Sequence, residues 1–166
     1  MAENAVAADV GRMLKRELQS FRREIELFPD DAAVWAVVPG ITNSAGTLAL
    51  HVAGNLRYFV GAVLGGSGYV RDRDAEFSRR GLTRAEVVAE LKQAEDEVEP
   101  ALLAIDDAAL AAPFPVALKG LTMPTGRFLI ALEVHAAFHL GQAGYVRRAV
   151  TGDARSSDPI GMAPLA

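Results

Sequence analysis

Four long segments of the chain carry apolar residues at helical spacing, and this periodicity constrains the fold more than any other feature. In the first segment, residues 5–28, the apolar positions are Val6, Val10, Leu14, Leu18, Phe21, Ile25 and Phe28. Similar spacing predicts helices over residues 44–64, 83–106 and 126–150. No segment alternates convincingly between apolar and polar residues, as a half-buried strand would. The sequence therefore predicts an all-α four-helix bundle.

Capping and helix-breaking residues predict where these helices begin and end. Ser44 offers N-cap chemistry to the second helix, and Thr83 with Glu86 forms a capping box at the start of the third. Gly152 follows the fourth helix as a C-cap. Pro100 lies inside the third helix, where it lacks an amide donor and crowds the preceding turn, so we expect it to kink or interrupt that helix.

The connecting segments are expected to be irregular. Residues 65–80 are rich in glycine and alternating charge, which predicts a long solvated connection between the second and third helices. Residues 107–125 contain three prolines and a glycine, which favour a loop without a regular helix. We assign residues 1–152 to one bundle domain and residues 153–166 to a flexible C-terminal tail.

Composition disfavours several classes of protein. The net charge of −4 provides no broad positive field, so neither nucleic acid nor an anionic membrane surface is an expected partner. No apolar run approaches the roughly 20 residues that span a bilayer, and no basic stretch precedes an apolar one at the N-terminus, so we expect a cytoplasmic protein. The chain has no cysteine, which excludes disulfides, thiolate ligands and cysteine nucleophiles.

The three histidines of the chain form a candidate metal site. His135 and His139 are four residues apart on the fourth helix, so their side chains project from one face. His51 lies on a core-facing stripe of the second helix and is the only other imidazole available. Three protein ligands would leave one position open, as in catalytic zinc sites. Nickel and iron also accept imidazole nitrogens, so ligand type does not identify the metal.

A competing interpretation is that His135 and His139 are ordinary polar residues, each satisfied by a neighbour. Burying three uncompensated imidazoles would be costly, and a metal ion relieves that cost. Asn55, one turn beyond His51, is a candidate cofactor-binding residue or else a packed core amide. Gln142, three residues after His139, is a second candidate that could hold a metal-bound water or a substrate group, or else a solvated surface amide.

Two basic residues, Arg147 and Arg148, stand near the end of the fourth helix. We expect them to serve the helix dipole and solubility, since positive charge is favourable at a helix C-terminus. Binding a cofactor carboxylate is the alternative.

Taken together, these segments resemble the DinB superfamily of metal-binding four-helix bundles. The stretch His51-Val-Ala-Gly-Asn55 resembles the family's H-x-x-x-[EN] helix, and His135-Ala-Ala-Phe-His139-Leu-Gly-Gln142 resembles its HxxxHxGQ signature. The resemblance maps His51, His135 and His139 onto the family's metal triad. It implies an up-down-down-up bundle, a long crossover between the second and third helices, a divalent metal ion and a homodimer.

The resemblance also implies a reaction. Relatives include thiol S-transferases that use bacillithiol, mycothiol or glutathione, and mycothiol-dependent maleylpyruvate isomerases. We therefore expect a metal-dependent thiol S-transferase whose partners are a low-molecular-weight thiol and an electrophile, with zinc or nickel as the favoured metal and iron as another candidate. Two alternatives are a non-catalytic metal-binding dimeric bundle and a metal-dependent hydrolase, although the latter lacks an evident carboxylate base.

Overall fold

A computed structural model describes residues 5–118 and 120–163 of the chain, and its regular elements there are all helical. In chain order they are α1 (Ala5–Glu26), α2 (Asp31–Val34), α3 (Ala45–Leu56), a π-helical segment (Arg57–Ala62), α4 (Arg73–Ser78), α5 (Arg84–Leu103), α6 (Asp107–Ala111) and α7 (Thr125–Thr151). Within these ranges there is no strand, only two isolated β-bridges, Pro113 to Pro124 and Leu118 to Leu121. The prediction of an all-α fold is confirmed.

The longest helices enclose one hydrophobic core. α1 packs against α5 and α7, and α3 packs against the same two helices. The side chains that α1 contributes at helical spacing, Leu14, Leu18, Phe21 and Ile25, are fully buried. Burial of this apolar face, rather than helix propensity, supplies most of the stability of such helices.

The second predicted helix is unbroken, but it changes from α-helical to π-helical hydrogen bonding partway along. The Ser44 side chain accepts a hydrogen bond from the Thr47 amide at 3.2 Å and so caps α3. After Leu56 the chain continues as the π segment, in which the Val63 amide reaches five residues back to the Tyr58 carbonyl at 2.9 Å. The predicted end at residue 64 is within two residues of the observed end, but the π pitch was not predicted.

Two short helices correct the predicted connections. Residues 73–78 form α4, which Asp72 caps by accepting from the Ala75 amide at 2.9 Å. Residues 107–111 form α6, which Asp106 caps by accepting from the Ala109 amide at 2.8 Å. The expectation of no helix was therefore wrong in both segments. Each helix is one to two turns long, which is too short for an apolar period to appear.

α5 begins as predicted and passes through its proline. The Thr83 side chain and the Glu86 side chain form the capping box reciprocally. Pro100 does not interrupt the helix, which ends at Leu103. The proline stands in the last turn, where the helix loses one backbone hydrogen bond and little helix remains to be displaced.

The end of α7 joins three parts of the chain. Gly152 adopts the left-handed conformation, φ 69°, and its amide donates to the Arg148 carbonyl, which confirms the predicted C-cap. Arg147 is fully buried and pairs with buried Glu24 of α1, so the expectation that it serves the dipole and solubility was wrong. Its guanidinium also donates to the Asp153 carbonyl at 3.0 Å.

The division of the chain into a bundle domain, residues 1–152, and a flexible tail, residues 153–166, stays a prediction.

The helices within the described ranges were also compared with the length and hydropathy that a membrane requires. None of them is both long and apolar enough to cross a bilayer.

Candidate metal site

The structure brings the three histidines together. His51 projects from α3, and His135 and His139 project from one face of α7. The Nε2 atom of His135 lies 3.2 Å from that of His51 and 3.1 Å from that of His139. The three rings meet edge to face, with centroids 4.5 to 5.2 Å apart. This arrangement could hold a metal ion, with one nitrogen from each residue.

The spacing of these nitrogens is compatible with coordination. Nitrogen lies about 2.0–2.1 Å from zinc, so two ligand nitrogens of a tetrahedral site stand about 3.3 Å apart. The observed separations of 3.1 and 3.2 Å differ from that value by small side-chain movements only. The ligand nitrogens of all three residues lie within 4.8 Å of one another, so small movements would let them face one ion.

Neighbouring groups fix the tautomers of two of the rings. The Nδ1 atom of His51 lies 2.8 Å from the Glu76 carboxylate, which can only accept, so this nitrogen carries the hydrogen. The Nδ1 atom of His139 lies 2.8 Å from the amide oxygen of Gln142 and carries its hydrogen for the same reason. In both rings the Nε2 lone pair is left facing the centre of the cluster, as metal binding requires.

His135 completes the chemical case for a cation. Its Nδ1 atom is buried and has no hydrogen-bond partner among the described residues. A hydrogen on Nδ1 would be unsatisfied and would leave three lone pairs facing one another. A hydrogen on Nε2 would have to be shared between two acceptors. A cation at the centre removes the repulsion between the lone pairs, so the residues fit a metal ion.

The surroundings favour the neutral form of the two α7 imidazoles, His135 and His139. Burial, together with the nearby His139 and His51, lowers the pKa of His135 to about 4. Burial also lowers the pKa of His139, although its hydrogen bond to Gln142 acts in the opposite direction. Both rings are therefore deprotonated at neutral pH, which is the form that binds metal ions.

Glu76, on α4, contacts His51 and so supports the site. The sequence alone did not identify it as a site residue. Burial alone would raise its pKa, but hydrogen bonds from Arg71 and His51 outweigh that effect and lower the pKa. Arg71 Nε lies 2.6 Å from one carboxylate oxygen, and an Arg71 terminal nitrogen lies 2.9 Å from the other. The neighbouring Phe77 ring packs against His51 with centroids 4.8 Å apart.

The close approach of α4 to α3 depends on Gly54. A Cβ atom at this position would collide with the Glu76 carboxylate. The signal that could have revealed α4 is Asp72, an N-cap residue type directly before residues 73–78, which include Glu76 and Phe77. That signal was obscured by the alternating charge of the segment.

The two predicted cofactor-binding amides lie in different environments. Asn55 is buried, and its Oδ1 atom has no hydrogen-bond partner within the described part of the chain. Gln142 is exposed and accepts from His139. A cofactor-binding role for either residue stays a prediction.

Comparison with known proteins identifies one family. A family model described as the DinB superfamily matches residues 13–143, a range that contains all three histidines and both signature motifs, residues 51–55 and 135–142. Neither the curated proteins nor the solved structures that were searched gave a match.

Proposed function

This chain belongs to the DinB superfamily, and from that premise we propose that it binds one divalent metal ion through His51, His135 and His139 and acts as a metal-dependent thiol S-transferase. The observation that carries the proposal is the convergence of three imidazole nitrogens, two of them held in the metal-binding tautomer by Glu76 and Gln142. Zinc and nickel are the favoured ions, because both accept nitrogen ligands, and iron is a further candidate.

The thiol must come from a small molecule, because the chain has no cysteine. When bound, the ion would act as a Lewis acid that stabilises the thiolate of mycothiol, bacillithiol or glutathione for attack on an electrophile. The protein's own residues hold the ion and orient its ligands. Asn55, whose buried oxygen has no hydrogen-bond partner among the residues that the structure describes, and Gln142 are the residues we propose to contact the thiol or a bound water.

A hydrolase is less well supported. Glu76 is the carboxylate that contacts the triad, and its two oxygens are engaged by Arg71 and His51. A general base needs a free oxygen within reach of the attacking water. Glu76 is therefore better suited to orient His51 than to activate water.

We extend the proposal to the architecture that the resemblance implies. α1 and α3 each pack against both α5 and α7, as the four long helices of a bundle would. The up-down-down-up order and a crossover in the segment that contains α4 are proposed from the resemblance. A homodimer is proposed likewise, and light scattering during gel filtration measures it directly. Cytoplasmic location stays a prediction.

Metal analysis tests the first part of the proposal. Purified protein should carry about one divalent ion per chain, and His135→Ala or His139→Ala should lose it, because two ligands cannot retain an ion that three hold. Gln93→Ala, an exposed change on α5, is the control and should keep full metal content. Full metal content in the histidine variants would show that the site is assigned wrongly.

Thiol consumption tests the second part. Glutathione, mycothiol and bacillithiol are each incubated with a generic aryl halide electrophile, with and without added zinc or nickel. We expect turnover with at least one thiol that depends on metal and disappears in His135→Ala. If metal binds but no thiol is consumed, the transferase is excluded and the non-catalytic metal-binding bundle replaces it.

A further inference from the structure

A cleft of about 830 Å³ lies between α7 and residues 38–43, the segment that leads into α3. Its volume falls within the range of small-molecule binding sites, about 300–1,000 Å³. Two of its aromatic side chains are largely exposed, Phe138 at 60% and Tyr145 at 77%. Exposed rings in a concave site are typical of surfaces that bind a ligand.

The cleft adjoins the histidine triad. Gln142 forms part of its wall and accepts the hydrogen bond from His139 at 2.8 Å. Phe138 also lines the cleft, and its ring lies against the His139 ring with centroids 5.4 Å apart. A molecule in the cleft would therefore contact two residues that themselves touch a proposed metal ligand.

The lining residues indicate an uncharged ligand. None of the fourteen described residues that line the cleft carries a charge. A carboxylate or phosphate placed there would lose part of its hydration without gaining a cationic side chain from the lining, which is costly. The amide oxygen of Gln142 is engaged by His139, so its amide hydrogens are the group it can offer to a ligand. A carbonyl oxygen is a matching acceptor.

The size of the cleft favours a small molecule over a second copy of the chain. Stable protein interfaces use about 20–30 residues on each side, and this cleft has fourteen. A small apolar molecule, in contrast, is short enough to contact both walls of the cleft, α7 on one side and residues 38–43 on the other.

We propose that this cleft binds the electrophile of the reaction, an uncharged molecule with an apolar body and a carbonyl-type acceptor that receives a hydrogen bond from Gln142. The identification of the ligand as the electrophile depends on the proposed function. The existence of an apolar binding site beside the triad does not, since it depends on the cleft alone.

The test uses Gly141, which lines the cleft on α7. A Cβ atom at this position would have no atom of the surrounding structure within 4 Å, so Gly141→Leu adds apolar volume at the cleft wall without a collision at its Cβ and replaces a poor helix former by a good one. The probe is N-phenyl-1-naphthylamine, an uncharged molecule that fluoresces in apolar sites. We expect saturable binding to the wild type and an affinity at least about tenfold lower for Gly141→Leu. Ala131→Leu is the control, because Ala131 is exposed on the same helix but lies outside the cleft. This variant should bind the probe with the affinity of the wild type.

Several outcomes would overturn the proposal. The first is that the probe shows no saturable binding to the wild type. The second is that Gly141→Leu binds the probe as tightly as the wild type does, while its metal content and helicity are unchanged. The uncharged enone 4-phenyl-3-buten-2-one should displace the probe at lower concentration than cinnamate does, and equal displacement would contradict the argument from charge. A wild-type dimer that Gly141→Leu converts to monomers would assign the cleft to a second copy.

Probe binding is measured without thiol and without added metal, so its failure is distinct from failure of the thiol reaction. If no thiol is consumed while the enone displaces the probe, the proposed function fails and the binding site stands. If thiol is consumed while Gly141→Leu binds the probe normally, the reaction stands and the cleft is not its electrophile site.

Discussion

The Glu76 carboxylate receives hydrogen bonds from two directions, from His51 Nδ1 at 2.8 Å and from the Arg71 guanidinium at 2.6 and 2.9 Å. Its charge holds the hydrogen of His51 on Nδ1 and makes Nε2 a stronger electron donor. Arg71 in turn keeps the carboxylate ionised, because its hydrogen bonds help to lower the pKa of Glu76 against the effect of burial. The metal affinity of His51 should therefore depend on a residue that does not touch the ion.

Glu76→Gln measures this dependence. The amide is a weaker acceptor and can present its NH₂ group to His51 Nδ1, which would favour the wrong tautomer. We expect the affinity for zinc, measured by competition with a chromophoric chelator, to fall about 10–100-fold, the usual effect of losing such a partner. Asp74→Asn, an exposed change on α4, is the matched control and should leave the affinity unchanged. Equal affinities in both variants would limit Glu76 to a packing role.

The histidine triad could be predicted from sequence, whereas Glu76 could not, and the difference is physical. His135 and His139 face the same way because of local helix geometry, and His51 follows from the apolar stripe around it. Glu76 reaches His51 only because α4 folds onto α3 at Gly54. That contact depends on tertiary packing, which leaves no periodic signal in the sequence.

At the scale of whole helices, the ion pair between Arg147 and Glu24 joins α7 to α1 inside the core. The two side chains are 0% and 1% exposed. Arg147 also donates to the carbonyls of Asp153 and Arg155, so the chain after α7 is held by the same guanidinium. A buried pair of this kind gives little net stability over an apolar pair, but removal of one partner leaves an uncompensated charge.

Arg147→Met should therefore lower the free energy of unfolding by about 3–5 kcal/mol, measured by urea denaturation. Arg148→Met, the neighbouring change at a partly buried residue, should cost less than about 1 kcal/mol. The double variant Arg147→Met with Glu24→Leu should recover much of the loss, because no buried charge then lacks a partner. A double variant that is less stable than Arg147→Met alone would contradict this account.

The elements that the sequence predicted correctly share a strong local signal. α1, α5 and α7 combine an apolar period with a cap or a terminating residue, and their ends lie within three residues of the predicted ones. α4 and α6 are too short to display a period, and the π segment changes only the hydrogen-bond ladder. These three features depend on tertiary contacts or on backbone geometry, to which side-chain patterning is insensitive.

For the molecule as a whole, a metal ion bound at the triad would couple metal binding to folding and to pH. An ion that binds only the folded chain stabilises it by mass action. Without metal, the folded protein keeps His135 and His139 half-buried in their neutral form. The unfolded chain exposes both side chains to water, where they bind protons more readily. The pKa of His135 is about 4 in the folded chain, against an ordinary value of 6.5. Between these two values the unfolded state binds more protons than the folded state.

Stability of the metal-free protein should consequently fall as the pH is lowered from about 7 toward 5. The slope of unfolding free energy against pH is positive wherever the unfolded state binds more protons, and His139, whose pKa is also lowered, contributes with the same sign. Urea midpoints measured in chelator at pH 7, 6 and 5 test this. His135→Gln keeps a polar side chain that does not titrate and should show a shallower slope over the same range. The prediction fails if the two slopes are equal, because the acid sensitivity would then arise from other groups and His135 would not control the stability of the metal-free protein.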